Sequence, residues 1–124
     1  MVTGGVRSWL RIEGTAAFAF AIGLYLRFGG NPWLLIPLLL AVDLSMAGYV
    51  GGPRIGAITY NALHNWTPGL VLLALGLAGG SDPVVVGAAV LIGHVGMDRM
   101  SGYGLKYPTA FADTHLGRIG RRRA

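Results

Sequence analysis

The sequence predicts an all-α integral membrane protein, a four-helix transmembrane bundle in one domain (residues 1–124) with a short cytoplasmic C-terminal cap. Three observations carry this expectation. Hydrophobic residues make up 53% of the chain and charged residues only 12%, against about a quarter charged in a soluble domain. Four apolar runs follow one another, each near the roughly 20 residues that cross a bilayer at about 1.5 Å per residue. The breaks between runs are rich in glycine and proline, and the 21 glycines suit helices that pack closely in lipid.

The first helix is expected over residues 9–28. Arg7 and Arg11 precede an apolar run and so resemble the flank of a signal peptide, but Glu13 interrupts the early part of that run and no small-residue cleavage site follows, so the helix is retained. Gly29-Gly30-Asn31-Pro32 is a turn in which Asn31 caps the second helix, residues 32–50, with Pro32 at its first position. Pro37 should bend that helix slightly. Gly51-Gly52-Pro53 ends it, and so short a connection makes the next helix an antiparallel neighbour. The third helix is expected over residues 54–79. Pro68 lies inside it and has no N–H, so the carbonyl of His64 loses its helical partner and the helix should kink there. Gly79-Gly80-Ser81-Asp82-Pro83 repeats the turn, with Asp82 as N-cap of a fourth helix over residues 83–101. The basic tail, residues 102–124, reads either as a cap on the bundle or as a membrane-surface segment.

Basic residues are one-sided. Arg7, Arg11, Arg54, Arg99, Lys106, Arg118 and Arg121-Arg122-Arg123 fall on one side and Arg27 alone on the other. The positive-inside rule then gives a multi-pass protein of the cell membrane with both termini cytoplasmic. In that setting the terminal arginines set topology, and no nucleic acid is expected. There is no cysteine, hence no thiolate chemistry. The oligomeric state is left open.

Glu13, Asp43, Asn61, His64, His94 and Asp98 all fall roughly 5–15 Å from the cytoplasmic boundary when depth is counted along the helices. An ionisable group at the membrane centre costs roughly 2.5–3.5 kcal/mol on insertion scales. Five in one layer therefore point to a site. His94 and Asp98 are four residues apart and share a helix face. As a metal centre, Asp43, His64, His94 and Asp98 are the ligands of a divalent Zn, Fe or Mn, supported by Asn61 and Arg99. As an acid–base site, His94 and Asp98 act with Glu13, and Asp113 and His115 close the site from the tail. The metal centre fits a membrane-embedded metal-dependent hydrolase or oxidase, the acid–base site needs no metal, and a site at headgroup depth in the lipid bilayer fits an amphiphilic substrate. Arg99 also reads as a plain positive-inside anchor. Tyr49, Tyr60 and Trp66 read as packing or interface aromatics. Two other readings compete. A small transporter would resemble the small multidrug transporters, but the strong charge bias and off-centre layer argue against it. A purely structural cluster would join helices through polar bonds contributing about 0.6 kcal/mol each on average.

Several strings resemble one family. They are Asp43-Leu44-Ser45-Met46-Ala47-Gly48-Tyr49, Gly52-Pro53-Arg54-Ile55-Gly56-Ala57, Tyr60-Asn61-Ala62-Leu63-His64, His94-Val95-Gly96-Met97-Asp98-Arg99, Gly102-Tyr103-Gly104-Leu105-Lys106-Tyr107-Pro108, Phe111, and Asp113-Thr114-His115-Leu116-Gly117-Arg118-Ile119-Gly120. The chain resembles, over nearly its whole length from Arg11-Ile12-Glu13-Gly14 onward, the membrane proteins grouped as domain of unknown function 4260. The resemblance implies a small multi-helix membrane protein in which the Asp113-Thr114-His115 string belongs to the pattern. It implies no reaction and no substrate.

Overall fold

The computed structural model describes residues 2–120, so the Arg121-Arg122-Arg123 run lies outside the described residues. Helix α1 spans Gly4–Arg27. A 3₁₀ turn, Pro32–Leu34, leads into α2, Leu35–Ala41, which continues as a 3₁₀ segment, Val42–Gly51. Then come α3, Pro53–Leu63, α4, Trp66–Ala78, and α5, Asp82–Ser101. The tail forms a small antiparallel hairpin of β1, Asp113–Thr114, and β2, Gly117–Arg118. The all-α expectation holds.

Local chemistry explains the boundaries. Gly29 takes φ +89° after α1, and Gly30 N–H reaches back to the Tyr25 carbonyl at 2.8 Å, so glycine closes the helix in the left-handed conformation. Asn31 caps the next element through Oδ1, which accepts from Trp33 N–H at 2.9 Å. Asp82 is the first residue of α5 rather than its cap; Ser81 holds that position and makes no side-chain cap bond.

The expected third helix is two helices. The chain leaves α3 at His64, and Asn65 starts α4 by accepting from Thr67 N–H at 2.9 Å. Pro68 therefore sits in the first turn of α4, where its missing N–H costs nothing. The two pieces, 11 and 13 residues, rise only about 16 and 20 Å, short of the roughly 30 Å hydrocarbon layer. Among the described residues, two helical stretches are long and apolar enough to cross a membrane, Pro32–Gly51 and Asp82–Ser101, and the second is mostly buried within the molecule. Four continuous spans, as expected from the sequence, are not found.

Helix α5 is the hub, packed by α1, α4 and α2. Glycines permit this. A Cβ on Gly96 would lie 2.7 Å from the Phe18 backbone nitrogen and 2.9 Å from the Gly14 carbonyl oxygen; one on Gly76 would lie 2.9 Å from Val85 N. Since the obstacles are backbone atoms, Gly96→Ala is expected to destabilise by about 1–3 kcal/mol despite alanine's better helix propensity. Gly87, where a Cβ meets nothing within 4 Å, is the control: Gly87→Ala should be neutral or stabilising in the same denaturation series.

The 3₁₀ segment has its own logic. Residues three apart eclipse in such a helix, so Val42, Ser45 and Gly48 form one ridge. Val42 is buried, Ser45 touches His64, and Gly48 rests against Thr59. Outside, apolar side chains stay uncovered: Trp33 is 90% and Val50 96% exposed, and Ile36, Leu40, Leu70 and Leu75 are more than half exposed. The amino end meets the tail, where Val2 N–H donates to the His115 carbonyl at 2.7 Å and Arg7 Nε to the Leu116 carbonyl at 2.6 Å.

Candidate metal centre

Three elements bring four side chains to one point. Asp43 comes from the start of the 3₁₀ segment, His64 from the end of α3, and His94 and Asp98 from successive turns of α5. Both imidazoles are fully buried, and Asp98 and Asp43 have side chains 13% and 35% exposed, so the group opens on the Asp43 side. His64 Nε2 lies 2.9 Å from His94 Nε2, 3.2 Å from Asp43 Oδ1 and 3.7 Å from Asp98 Oδ2. His94 Nε2 lies 3.1 Å from Asp43 Oδ1 and 3.4 Å from Asp98 Oδ2. One ligand atom from each residue falls within 4.8 Å of all the others. An ion with tetrahedral bonds of about 2.0–2.1 Å separates its ligand atoms by about 3.3 Å. Five of the six edges bracket that value.

The hydrogen bonds around the rings fix which atoms face inward. His94 Nδ1 lies 2.6 Å from the Leu39 carbonyl oxygen and His64 Nδ1 2.8 Å from that of Tyr60. A carbonyl only accepts, so each Nδ1 carries a proton, and in its neutral form each ring turns an Nε2 lone pair inward. Two Nε2 atoms and two carboxylates then share a buried space. Only Tyr60 reaches in, its hydroxyl donating to Asp98 Oδ2 at 3.1 Å while its ring stacks on His64 at 3.6 Å. Imidazoles held by backbone carbonyls and a carboxylate held by a hydroxyl are the outer partners that metal ligands need. The His₂Asp₂ group could hold a metal ion, and its nitrogen and oxygen donors suit zinc, iron or manganese.

Other expected site residues hold the frame. Arg99 is buried, not a surface anchor; it donates to the His64 carbonyl at 2.9 Å and the Tyr103 carbonyl at 3.2 Å. The first of these carbonyls lies at the break between α3 and α4. Asn61 clasps the tail through both ends of its amide, donating to the Lys106 carbonyl at 2.8 Å and accepting from Lys106 N–H at 2.7 Å. Asp113 is held within the tail by Arg118 at 2.7 Å and Thr109 at 2.6 Å. Glu13 is exposed on α1 and stands outside the group, so depth alone misplaced it. Depth counting ignores which way a helix face turns.

His115 packs in the tail and its Nδ1 accepts from Leu105 N–H at 2.8 Å. Burial, with the Arg99 charge beside it, lowers its pKa below the ordinary imidazole value. The unfolded chain therefore takes up this proton first as pH falls. The bond's stabilising contribution is complete above about pH 6.5 and is lost progressively below it. Amide protection over residues 102–120, corrected for intrinsic exchange, should fall as pH drops from about 7.5 to 5. The drop should be smaller in His115→Gln, whose side chain does not titrate.

Two contributors escaped the sequence reading. Tyr60 read as packing, although it lies four residues before His64 and thus on its face. Lys106 counted only as a topology charge, yet it is 95% covered (5% exposed), with Nζ 3.7 Å from the Phe111 ring centre and 4.9 Å from that of Tyr60.

The family model that matches this chain is that of a domain of unknown function, DUF4260, over residues 7–119. No curated protein and no solved structure matches it.

Proposed function

Because the chain belongs to the DUF4260 family, whose description names no activity, we propose from the site itself that it is an integral membrane, divalent-metal-dependent hydrolase acting on an amphiphilic ester. The observation that carries the reading is the convergence of two inward Nε2 atoms, each ring held at Nδ1 by a backbone carbonyl, and two carboxylates. Two apolar stretches of spanning length and an uncovered apolar exterior support membrane residence. The charge bias supports cytoplasmic termini.

Zinc, iron or manganese bound there supplies Lewis acidity and eases the deprotonation of water. The chain's own residues do the rest. Asp43 is the most exposed of the four and so faces arriving water. Its Oδ1 lies against both imidazoles, and its Oδ2 makes no hydrogen bond among the described residues, which leaves that atom to accept a proton. Tyr60 holds Asp98 Oδ2, and the Leu39 and Tyr60 carbonyls hold the rings in the one tautomer that can ligate. Hydrolysis adds water across the ester bond and releases an acid and an alcohol.

Elemental analysis of protein purified from membranes tests the metal first. About one zinc, iron or manganese ion per chain is expected, together with chelator-sensitive ester hydrolysis in nanodiscs. Protein that carries no metal and shows no thermal shift with any of the three ions overturns the reading.

A further inference from the structure

We infer that Lys106, Phe111 and Tyr49 form a headgroup subsite beside this centre, shaped for the phosphate of an amphiphilic phosphoester. The inference rests on the metal reading above and deepens it.

Lys106 is the starting point. Among the described residues its ammonium makes no ion pair and donates no side-chain hydrogen bond, although the residue is 5% exposed. It lies over the faces of Phe111 and Tyr60, and the charges of Asp98 and Asp43 act on it from beyond ion-pair distance. Aromatic faces attract a cation weakly compared with a carboxylate or phosphate in contact. The ammonium therefore keeps its N–H donors free for an anion. The position is specific, because Tyr60 is the same residue that donates to Asp98 and stacks on His64. Asn61 fixes the Lys106 backbone there through two bonds.

A second observation is independent. The Tyr49 hydroxyl is buried without a hydrogen-bond partner, and its ring meets Phe111 edge-on with centres 5.1 Å apart. Phe111 thus carries the Lys106 cation over its face and meets the ring that bears the unpartnered hydroxyl. Both groups donate, so the missing partner is an acceptor, and the cation makes it an anion. Two aspartates balance a divalent ion, so Lys106 leaves the region net positive. Phosphate presents oxygens on several sides and can face the ion, the ammonium and the hydroxyl together; the two coplanar oxygens of a carboxylate cannot. The surrounding apolar exterior suits the hydrocarbon part.

The test uses full-length protein loaded with manganese, with inorganic phosphate as the probe and its ³¹P relaxation as the readout. Wild type should take up the ion, seen by electron paramagnetic resonance, and relax phosphate. Lys106→Met should weaken phosphate about tenfold or more with manganese uptake unchanged. Tyr49→Phe, which removes one hydroxyl and should fold, should weaken phosphate several-fold. Phosphatidate in nanodiscs should displace phosphate, and acetate should not. If manganese does not bind, the metal reading fails and the subsite with it. If manganese binds but neither substitution alters phosphate relaxation, the subsite alone is wrong. Acetate competing as well as phosphate, or phosphatidate failing to compete, overturns the assignment to a phosphoester amphiphile.

Discussion

His94→Ala is expected to abolish stoichiometric retention of zinc, iron or manganese, and to do so without unfolding the bundle. His94 Nε2 stands 2.9, 3.1 and 3.4 Å from the three other inward atoms, so it is the vertex common to the two shortest edges of the group. Nothing replaces it: the residue is fully buried, and its neighbours on α5 are Gly93 and Val95. Loss of an outer partner of a metal ligand typically weakens binding 10–100-fold; loss of a ligand should exceed about 100-fold. Tyr60→Phe, which removes only the hydroxyl on Asp98, should fall within the smaller range. The same logic predicts a stability signature. An ion bound there would separate two imidazole nitrogens and two carboxylates, so a chelator should lower the wild-type midpoint of thermal unfolding. In His94→Ala the chelator should have no further effect. Unchanged metal content in the variant, or a wild type indifferent to chelator, would count against the centre and in favour of a protonated polar cluster that merely joins helices.

Much of this site was legible because ionisable residues are conspicuous in apolar runs. Asp43, His64, His94 and Asp98 stand out in apolar runs, and the four-residue spacing of the last two settles a common face. Angular position was harder. Glu13 lies at a suitable depth but on the wrong face of α1, and no strong periodic signal in that helix says which face is covered. The break at His64 was anticipated in place but not in kind. A proline alone kinks a helix, whereas Asn65 capping Thr67 starts a new one. The long 3₁₀ stretch had no signal at all, since it depends on Gly48 settling against Thr59 from another helix. Lys106 was hidden by its charge. A basic residue just beyond a membrane helix looks like a topology marker, and its burial depends on the long-range clasp by Asn61.

Arg99→Met is the second large effect, expected to cost about 3 kcal/mol or more, a substantial part of the 5–15 kcal/mol that holds a typical domain. The reason begins at the break between α3 and α4, where the His64 carbonyl has no backbone donor among the described residues and Arg99 Nη2 supplies one at 2.9 Å. Arg99 Nη1 meanwhile ties down the Tyr103 carbonyl just past the glycine that ends α5. A hydrogen bond from a charged donor is worth about 1.5–3 kcal/mol, and a buried carbonyl stranded by its removal costs about 1–3 kcal/mol. Arg99→Lys should not rescue the loss, because a single ammonium lacks the planar fork that reaches both carbonyls. That distinction matters. If Arg99 were only a positive-inside anchor, lysine would serve as well as arginine, and methionine would alter orientation rather than stability. Exposed Arg54 provides the comparison, and Arg54→Met should leave the unfolding midpoint nearly unchanged. The effect should also reach the centre. The bond holds the backbone of a ligand, so freeing His64 should weaken metal retention in Arg99→Met by roughly the 10–100-fold associated with outer partners. Denaturation midpoints and metal titrations on the three variants separate these contributions. Equal stability of the lysine variant and wild type would return Arg99 to the role of an anchor.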